Sequence, residues 1–478
     1  MALGVAFVLA ACASLAPDTK KPVLDTPVAW PAGAQVSQEE ASARDWWTLF
    51  GDAQLNRMVA EGLGNNRDVA RAIARVDEAQ ALAAFARADQ LPGVQARAGA
   101  GRARLSERSA APIPPGAPSI GDSRSIGVEA FYELDLWGRY RDASASARAA
   151  LSASQYGREV VRLAVATQVV QGYFELRALD AQVDLTRRTL GTRAQAVTLR
   201  ERRLKGGTGS ELDLRQDQAE AAAAEATLAE LSDRASHAEA ALAVLLGRSP
   251  RALFESGIDR GTSIDALVSP PAVPAGLPSQ LLARRPDVQE SHARLLGATA
   301  DIGVARASYL PSLSLTAAYG GESAALADVL TSPARVWQLA ASLVAPIFTA
   351  GRADAAVDVA DARERQAIAR YEQTALNAFR EVRDALSRRS SAAARAQAQQ
   401  TRIEALERAR RLARLRYDSG YSGYLDVLDA DRNLFQSELD RVAARRDTLI
   451  ASVDLIRSLG GGWSPEGSVR ADRTGRTD

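Results

Sequence analysis

Residue types that build catalytic and metal sites are scarce in this chain of 478 residues. It contains one cysteine and two histidines, His237 and His292. A single cysteine excludes internal disulfides and any metal site made of several cysteines. Both histidines lie in alanine-rich helical sequence, where surface or half-buried positions are expected. No zinc-protease, phosphate-loop or serine-hydrolase motif occurs in the sequence, so we expect no catalytic residue, no metal and no cofactor.

An excess of charge of either sign is also missing. The chain has 59 Lys plus Arg and 58 Asp plus Glu, which gives a formal net charge of +1. Proteins that bind nucleic acids usually show a basic excess or a basic stripe. We therefore do not expect nucleic acid among the partners.

The N-terminus carries a short apolar run, residues 2–11, that contains no charged residue. The run is shorter than the ~20 residues of a membrane-spanning helix, but it suits the apolar core of a secretory signal. A signal normally begins with positive charge, and here no Lys or Arg precedes the run. The run ends in Leu-Ala-Ala-Cys12, which resembles the lipobox of bacterial lipoproteins. We predict a signal peptide at 1–11, lipidation of Cys12 and a lipidated tether at 12–43; Ala13 favours the outer membrane.

The rest of the chain is a tandem duplication. Asp68-Val69 and Leu91-Pro92 recur 219 residues later, as Asp287-Val288 and Leu310-Pro311. Later landmarks recur at an offset of 213 residues, namely Gly138-Arg139 with Gly351-Arg352, Gly207 with Gly420, and Leu212-Asp213 with Leu425-Asp426. This period is far longer than the roughly 20–50 residues of a solenoid repeat. Each half must therefore build the same elements.

Periodicity predicts the same order of elements in both halves. Repeat 1 is predicted at 44–250, with a short helix at 67–89, strands at 94–106 and 124–136, and long helices at 142–204 and 211–246. Repeat 2 is predicted at 281–463, with a helix at 286–308, strands at 312–320 and 337–348, and long helices at 353–418 and 424–459. Residues 251–280 are predicted to be the inter-repeat linker and equatorial region, and 464–478 a disordered tail.

The long helices and the strands limit the possible architecture. A helix of about 63 residues is roughly 95 Å long, which exceeds the needs of a globular core, and its heptad-like apolar spacing predicts antiparallel coiled-coil packing. Four strands cannot close a barrel, because single-chain membrane barrels begin at about eight strands, and an open sheet edge is not tolerated in lipid. Either the strands lie outside a membrane or several chains share one barrel; three chains would supply twelve strands.

Several stretches resemble the outer membrane factors of tripartite efflux systems, the TolC-like and OprM-like exporters, in their NodT-type lipoprotein branch. They cover nearly the whole mature chain in order: 9–12, 131–139, 282–288, 302–313, 345–352, 416–420 and 459–463. The resemblance implies a homotrimer, mainly α, with a shared twelve-stranded β-barrel in the outer membrane, a trimeric α-barrel of coiled-coil helices in the periplasm, and a small equatorial domain. It also implies two partners, a periplasmic adaptor protein and an inner-membrane transporter of RND type. The function implied is an exit duct for small molecules and drugs.

The resemblance also implies where the adaptor binds. In the family, the turns of the helical hairpins meet the adaptor. The matching residues form two glycine-rich turns, consisting of Gly206, Gly207, Thr208 and Gly209 in the first half and of Gly420, Tyr421, Ser422 and Gly423 in the second. The alternative is that these glycines only allow a helical hairpin to turn.

The same end is constricted in resting family members, so it is the expected place of a gate. Asp418, Asp426 and Asp429 lie close to the second turn and would form rings of three carboxylates in a trimer. Arg416 and Arg414 are near enough in sequence to pair with them. Asp213, the counterpart of Asp426 in the first half, is a weaker candidate. The alternative is ordinary surface charge on an amphipathic helix.

Two other interpretations stay open at this point. The same fold serves as the duct of type I protein secretion, and a structural coiled-coil lipoprotein of the envelope is a candidate from a different class. The duplicated strand pairs argue against the coiled-coil lipoprotein, which has no use for them. Aromatic residues that flank the strands fit either interfacial girdles in a membrane or packing against the helices, namely Tyr132, Trp137, Trp337 and Phe348.

Overall fold

The computed structural model describes residues 14–18, 22–30, 36–37, 45–106, 108, 113–114, 116, 118–270, 273–274 and 278–462. The predicted signal peptide, Cys12 and the predicted tail lie outside the described residues. Of the predicted tether, the short strand Val36–Ser37 pairs in parallel with Val273–Pro274 of the inter-repeat linker.

Helices dominate the described part of the chain. In chain order the helices are α1 Ala53–Asn65, α2 Arg67–Ala88, α3 Arg139–Lys205, α4 Glu211–Leu245, α5 Pro250–Glu255, α6 Pro278–Arg284, α7 Pro286–Ala307, α8 Arg352–Asp418 and α9 Tyr424–Ser458. The strands of the main sheet are β1 Gly93–Arg104, β2 Ile120–Leu134, β3 Ser312–Ser323 and β4 Arg335–Val344. Short 3₁₀ turns occur at Trp46–Phe50, Leu326–Asp328 and Ser332–Ala334.

The duplication is visible in the lengths of the helices. Helices α2 and α7 each have 22 residues, α3 and α8 each have 67, and α4 and α9 each have 35. Matching contacts recur as well. The side-chain amide of Asn66 donates to the carbonyl of Leu245 at 2.9 Å, and the Arg285 guanidinium donates to the carbonyl of Ser458, also at 2.9 Å. The predicted fold class, a mainly helical duplicated chain with four strands, is confirmed.

The four strands form one antiparallel sheet in the order β1-β2-β3-β4. The register aligns apolar residues of all four strands on one face, because alternate residues of a strand point to the same side. One row across this face is Ala96, Val128, Tyr319 and Trp337. The neighbouring row contains Val94, Ala130, Ala317 and Leu339. The sheet therefore presents a continuous apolar face.

The opposite face of the sheet is mostly polar. Glu129 of β2 pairs with Arg97 of β1 at 3.2 Å and accepts a hydrogen bond from Gln95 at 3.1 Å. Serines and a threonine occupy alternate positions of β3, and Gln338 and Ser342 do so in β4. In the single chain nearly all strand residues are exposed or half-buried. Among the described helices, none combines the length and the apolar character of a membrane span.

The chain divides into two compact units. The first comprises residues 1–23, 76–154 and 291–371 and contains the four-stranded sheet. Within it, the indole N–H of Trp137, just after β2, donates to the carbonyl of Pro311, just before β3, at 2.7 Å. This bond joins the two halves of the duplicated chain at the end of the sheet where the long helices begin.

The second unit comprises residues 24–75, 155–290 and 372–478. Part of its core is aromatic, since the Phe50 ring lies 5.0 Å from that of Phe174 in an edge-to-face arrangement. Next to this core lies Asp52, a carboxylate that is only 2% exposed. Asp52 caps α1 by accepting from the N–H groups of Gln54 and Leu55 at 2.7 and 3.3 Å.

Asp52 also connects three parts of the second unit. It accepts a hydrogen bond from the Tyr173 hydroxyl at 2.6 Å and another from the N–H of Thr262 at 2.9 Å. Burial alone would raise the pKa of Asp52, but these hydrogen bonds outweigh burial and hold the pKa below its ordinary value. A Cβ atom at Gly261 would lie 2.6 Å from Asp52 and from the Tyr173 hydroxyl, so this close approach requires glycine.

Candidate functional site at the helical hairpin tips

Each pair of long helices is joined by a turn with the same backbone geometry. Gly207 and Gly420 have φ of 73° and 77°, in the left-handed region where glycine is favoured. The N–H of Gly207 bonds to the carbonyl of Leu204, and that of Thr208 to Arg203, which is the Schellman pattern. Gly420 and Tyr421 repeat it after α8. The conformation of both turns therefore follows from a glycine placed two residues after the last residue of the helix.

The remaining turn residues differ in whether the fold requires a small residue at their position. A Cβ atom at Gly209 would lie 2.8 Å from the backbone nitrogen of Leu204, so glycine is required there for close approach. Gly423 has φ of −72° and no atom near the position of a Cβ. Tyr421 is 80% exposed. Fold requirements thus explain Gly207, Gly209 and Gly420, whereas Gly423 is favoured only as the N-cap of α9 and the exposed ring of Tyr421 has no such explanation.

A group of charged and aromatic side chains, built around two buried carboxylates, lies next to these turns and joins the two hairpins. We call it the tip cluster; it consists of Arg193, Arg200, Asp217, Glu220, Tyr417, Tyr424 and Arg432. Asp217 of α4 is 3% exposed. It accepts from the Tyr424 hydroxyl at 2.6 Å and from Nε of Arg200 at 3.2 Å. Arg200 also donates to the Tyr417 hydroxyl at 3.1 Å.

The aromatic rings hold the Arg200 guanidinium in place. Its central carbon lies 3.9 Å from the centroid of the Tyr424 ring and 5.7 Å from that of Tyr417. The two rings are themselves 5.3 Å apart. Burial and the hydrogen bond to Asp217 raise the pKa of Tyr424 to about 12. The Tyr424 hydroxyl therefore stays protonated at physiological pH and remains a donor to Asp217.

A second layer of the tip cluster lies farther from the glycine-rich turns, along the same helices. Glu220 of α4 pairs with Arg193 of α3 at 3.2 Å and forms an ion pair with Arg432 of α9. Arg193 also donates to the backbone carbonyl of Glu220 at 2.7 Å and lies over the Phe435 ring. Each layer therefore connects the α3–α4 hairpin to the α8–α9 hairpin through a carboxylate of α4.

The carboxylates that the sequence predicted for the gate lie near the tip cluster but outside it. Asp418, Asp426, Asp429 and Arg416 are all exposed in the single chain. Among the described residues, neither Asp418 nor Asp426 forms an ion pair with Arg416, and Asp429 accepts a hydrogen bond from Asn433 at 3.1 Å. Asp213, the weaker candidate, lies 3.8 Å from Arg200. Their assignment to a gate stays a prediction.

The sequence interpretation missed Asp217 and Glu220. One signal was present, because Arg193 and Arg200 are seven residues apart on the same helix, α3. A spacing of seven places side chains on one face of a coiled coil. Over the residues that the structure describes, no group of three or more His, Cys, Asp or Glu side chains is arranged to hold a metal ion.

Comparison with known proteins gives a consistent answer. The family model for outer membrane efflux proteins matches residues 59–248 and 277–461. The toluene efflux pump outer membrane protein TtgI of Pseudomonas putida is 33% identical over 458 residues, which cover 94% of this chain and 96% of TtgI. The probable outer membrane lipoprotein SilC of Salmonella typhimurium is 31% identical over 469 residues, which cover 97% of this chain and 98% of SilC.

A solved structure agrees with these matches. The CmeC outer membrane channel of Campylobacter jejuni superposes with a TM-score of 0.89 at 25% identity, over 98% of this chain and 99% of CmeC. The fold therefore defines an outer membrane channel. The chain belongs to the outer membrane efflux protein family, and it functions as an efflux channel of the outer membrane.

Proposed function

We propose that three copies of this chain form one exit duct of a tripartite efflux pump. The observation that carries this proposal is the open sheet with one continuous apolar face. In the described part of the chain, β1 and β4 each pair on one side only, and unpaired strand edges are not tolerated in lipid. Two copies would form an eight-stranded barrel, and side chains fill the interior of a barrel of that size. Three copies close twelve strands and leave a lumen.

In this proposal the apolar face meets lipid and the polar face, with Glu129 and Arg97, lines the duct. Aromatic residues lie near both ends of the sheet. Trp337 is near the start of β4 and is 77% exposed, whereas Phe348, beyond the end of β4, is 88% exposed. Together with Tyr132 and Trp137 they suit the two interfacial girdles of a membrane barrel. The helical hairpins then extend into the periplasm.

The stoichiometry is tested by the mass and heat-modifiability of the detergent-extracted protein. We expect an unboiled species of about three times 50.7 kDa that becomes a monomer on boiling. The Cys12→Ser variant should keep the trimer and lose the mass increase of lipidation, because the proposed barrel and not the lipid holds the chains together. A native monomer or dimer in that fraction contradicts the proposal.

The proposed cargo is small organic molecules, with an inner-membrane transporter of RND type and a periplasmic adaptor as partners. The named relative TtgI belongs to a toluene efflux pump, which supports this class of cargo. A deletion strain should therefore become sensitive to solvents and lipophilic drugs. If the deletion strain instead stops secreting a protein and keeps its resistance to solvents and drugs, the duct of type I protein secretion is favoured.

The proposed adaptor surface consists of the exposed turn residues, which the fold does not fully explain. Gly423→Trp is expected to abolish efflux and leave the trimer intact, because φ of −72° and open space accommodate a side chain. Glycine caps the start of α9 better than an apolar residue by roughly 1 kcal/mol at most, which a 35-residue helix tolerates. Efflux is measured as drug accumulation in cells.

The control for Gly423→Trp is Glu255→Trp at the end of α5, an exposed position far from the turns in sequence. This variant should transport normally. Normal transport by Gly423→Trp would contradict the adaptor assignment, whereas loss of the heat-modifiable trimer would place the defect in assembly.

We further propose that the tip cluster closes the resting duct. It connects two hairpins of the same chain, so it keeps them together until the adaptor separates them. The exposed charged residues of the predicted gate then lie at the throat, where each forms a three-fold ring that attracts or repels passing ions. They are Asp418, Asp426, Asp429 and Arg416.

A further inference from the structure

The N-terminal segment at residues 14–16 is seated in a small recess of the first unit. Ser14 Oγ donates to Asp142 Oδ1 at 2.6 Å and accepts from the N–H of Ala16 at 3.1 Å. Nη1 of Arg306 donates to the carbonyl of Leu15 at 3.2 Å. We call this recess the N-terminal notch; it is formed by Gly138, Asp142, Gly303 and Arg306.

Two glycines of the notch provide the space for the segment. A Cβ atom at Gly303 would lie 2.1 Å from Asp142 Oδ2 and 2.8 Å from the Ala16 nitrogen. A Cβ atom at Gly138 would lie 3.2 Å from the Ser14 Cα atom. An alanine at position 303 would therefore displace either Asp142 or the segment.

The duplication supplies an internal comparison for the notch. At the offsets of the repeat, Gly303 corresponds to Ala84 and Asp142 to Ala355. Gly303 is buried, whereas Ala84 is exposed. Both halves form the same helices and strand pair, so this shared architecture requires neither the glycine nor the carboxylate. The glycine and the carboxylate therefore occur at the pair of positions that contacts the N-terminal segment, whereas the corresponding pair in the repeat has two alanines.

Burial of the Asp142 carboxylate destabilises the fold, and the hydrogen bond from Ser14 of the N-terminal segment offsets only part of this cost. Asp142 is 5% exposed, and within the described residues its Oδ2 atom has no hydrogen-bond partner. Burial raises the pKa of Asp142, and the hydrogen bond from Ser14 opposes this rise. A buried carboxylate that is incompletely paired destabilises a fold. The contact with Ser14 gives this position a role that alanine at 355 does not have.

The position of the notch suggests its purpose. Asp142 lies in the first turn of α3, shortly after β2 ends at Leu134, and Gly303 lies near the end of α7, shortly before β3. In the sequence Cys12 precedes Ser14 by two residues, and two residues of extended chain span at most about 7 Å. A lipid on Cys12 would therefore be tethered within that reach of Ser14, which binds beside the junction between strands and helices, where the membrane boundary of the proposed barrel lies.

We propose that the N-terminal notch is a receptor for the mature N-terminus and positions the acyl chains of Cys12 beside the ends of β2 and β3. The lipid then enters the leaflet nearest the helices at a fixed place on each chain. This inference rests on the lipidation and on the barrel proposed above. Docking of the segment itself requires neither.

The docking is tested by hydrogen exchange on the detergent-solubilised protein. Gly303→Ala should accelerate exchange of the Ala16 amide at least tenfold, because the new Cβ displaces either the segment or the Asp142 carboxylate that accepts the hydrogen bond of Ser14. Gly297→Ala is the matched control on the same helix, since its Cβ would meet the Ala149 Cβ at an ordinary 3.5 Å; it should exchange like the wild type. The mass of the same N-terminal peptide reports acylation of Cys12 separately.

Should Gly303→Ala fail to assemble, Ser14→Ala replaces it. This variant leaves the sheet untouched, removes the bond to Asp142 and should raise the exchange rate at least threefold. Fast exchange of Ala16 in the wild type, or an unchanged rate in a folded Gly303→Ala and in Ser14→Ala, overturns the docking.

The placement of the lipid is tested with a photoreactive fatty acid incorporated at Cys12 in cells. Crosslinks in the wild type should concentrate on the peptides around the end of β2 and the start of β3. They should spread over the other strands in Gly303→Ala and stay concentrated in Gly297→Ala. An even spread in an acylated wild type overturns the positioning role, whereas absence of acylation refutes the proposed lipidation and leaves the exchange result to decide the docking.

Discussion

Replacing Asp217 with alanine is expected to open the resting channel. The substitution leaves the Arg200 guanidinium, whose side chain is 11% exposed, without its main carboxylate partner. Breaking a buried ion pair by removing one partner costs about 3–5 kcal/mol. Asp213, at 3.8 Å from Arg200, offsets part of this cost. When the hairpins separate, water hydrates Arg200, so the substitution destabilises mainly the closed state. We expect the free energy of the closed state to rise by roughly 2 kcal/mol relative to the open state, which shifts the closed–open equilibrium about thirtyfold towards the open channel.

The effect is measured as open probability of single channels in planar bilayers and as sensitivity of cells to vancomycin, a large antibiotic. Tyr424→Phe should show a smaller change in the same direction, because the ring under Arg200 stays and only the hydroxyl is lost. Asp426→Ala is the control, since Asp426 is exposed and forms no ion pair with Arg416 among the described residues. If Asp426→Ala opens the channel and Asp217→Ala does not, the exposed carboxylates form the gate and the tip cluster does not.

Replacing Asp52 with alanine is expected to lower the stability of the second unit by about 3 kcal/mol. The variant removes the cap of α1, which contributes roughly 1 kcal/mol, and leaves the buried Tyr173 hydroxyl without its acceptor at a further cost of about 1–3 kcal/mol. Thermal unfolding followed by circular dichroism in detergent should show a midpoint several degrees lower. Asp259→Ala, a neighbouring exposed carboxylate, should leave the midpoint unchanged.

The same carboxylate gives the wild type a defined dependence on pH. The pKa of Asp52 is held below its ordinary value of 3.8 in the folded protein. Its contribution is therefore complete above about pH 4 and is lost as the pH falls through the lowered value. The difference between wild type and Asp52→Ala should narrow in acid. A constant difference down to pH 2 would show that the hydrogen bonds to ionised Asp52 do not stabilise the unit.

The main elements were predictable because their patterns are long and regular. The strand β4 alternates between Trp337, Leu339 and Leu343 on one side and Gln338 and Ser342 on the other, and the register places these in the apolar and polar faces of the sheet. The helix α1 was missed even though Asp52 is a good cap, because Gly62 and Gly64 weaken its helical pattern. The short helices α5 and α6 lie in a segment whose prolines and glycines indicated only a linker.

The tip cluster was harder to predict for a physical reason. Asp217 and Asp426 lie in similar helical sequence, and the charged residues around them follow the spacing of a solvated helix face. Only the packing of the second hairpin against the first buries Asp217 and leaves Asp426 exposed. The notch was hidden for a similar reason, since Gly303 and Asp142 are 161 residues apart and each is unremarkable by itself.

The equal lengths of the paired helices restrict how the chain can change in evolution or by engineering. The halves differ by six residues, and the whole difference falls between Pro92 and Gly138, in the region of the strand pair. A deletion in α3 alone would move Arg193 and Arg200 away from the side chains of α9 that they meet. Removal of one heptad from each of the four long helices would keep the layers of the tip cluster aligned. The reach of the hairpins is therefore adjustable only in coordinated steps, whereas the loop of the first strand pair can vary freely in length.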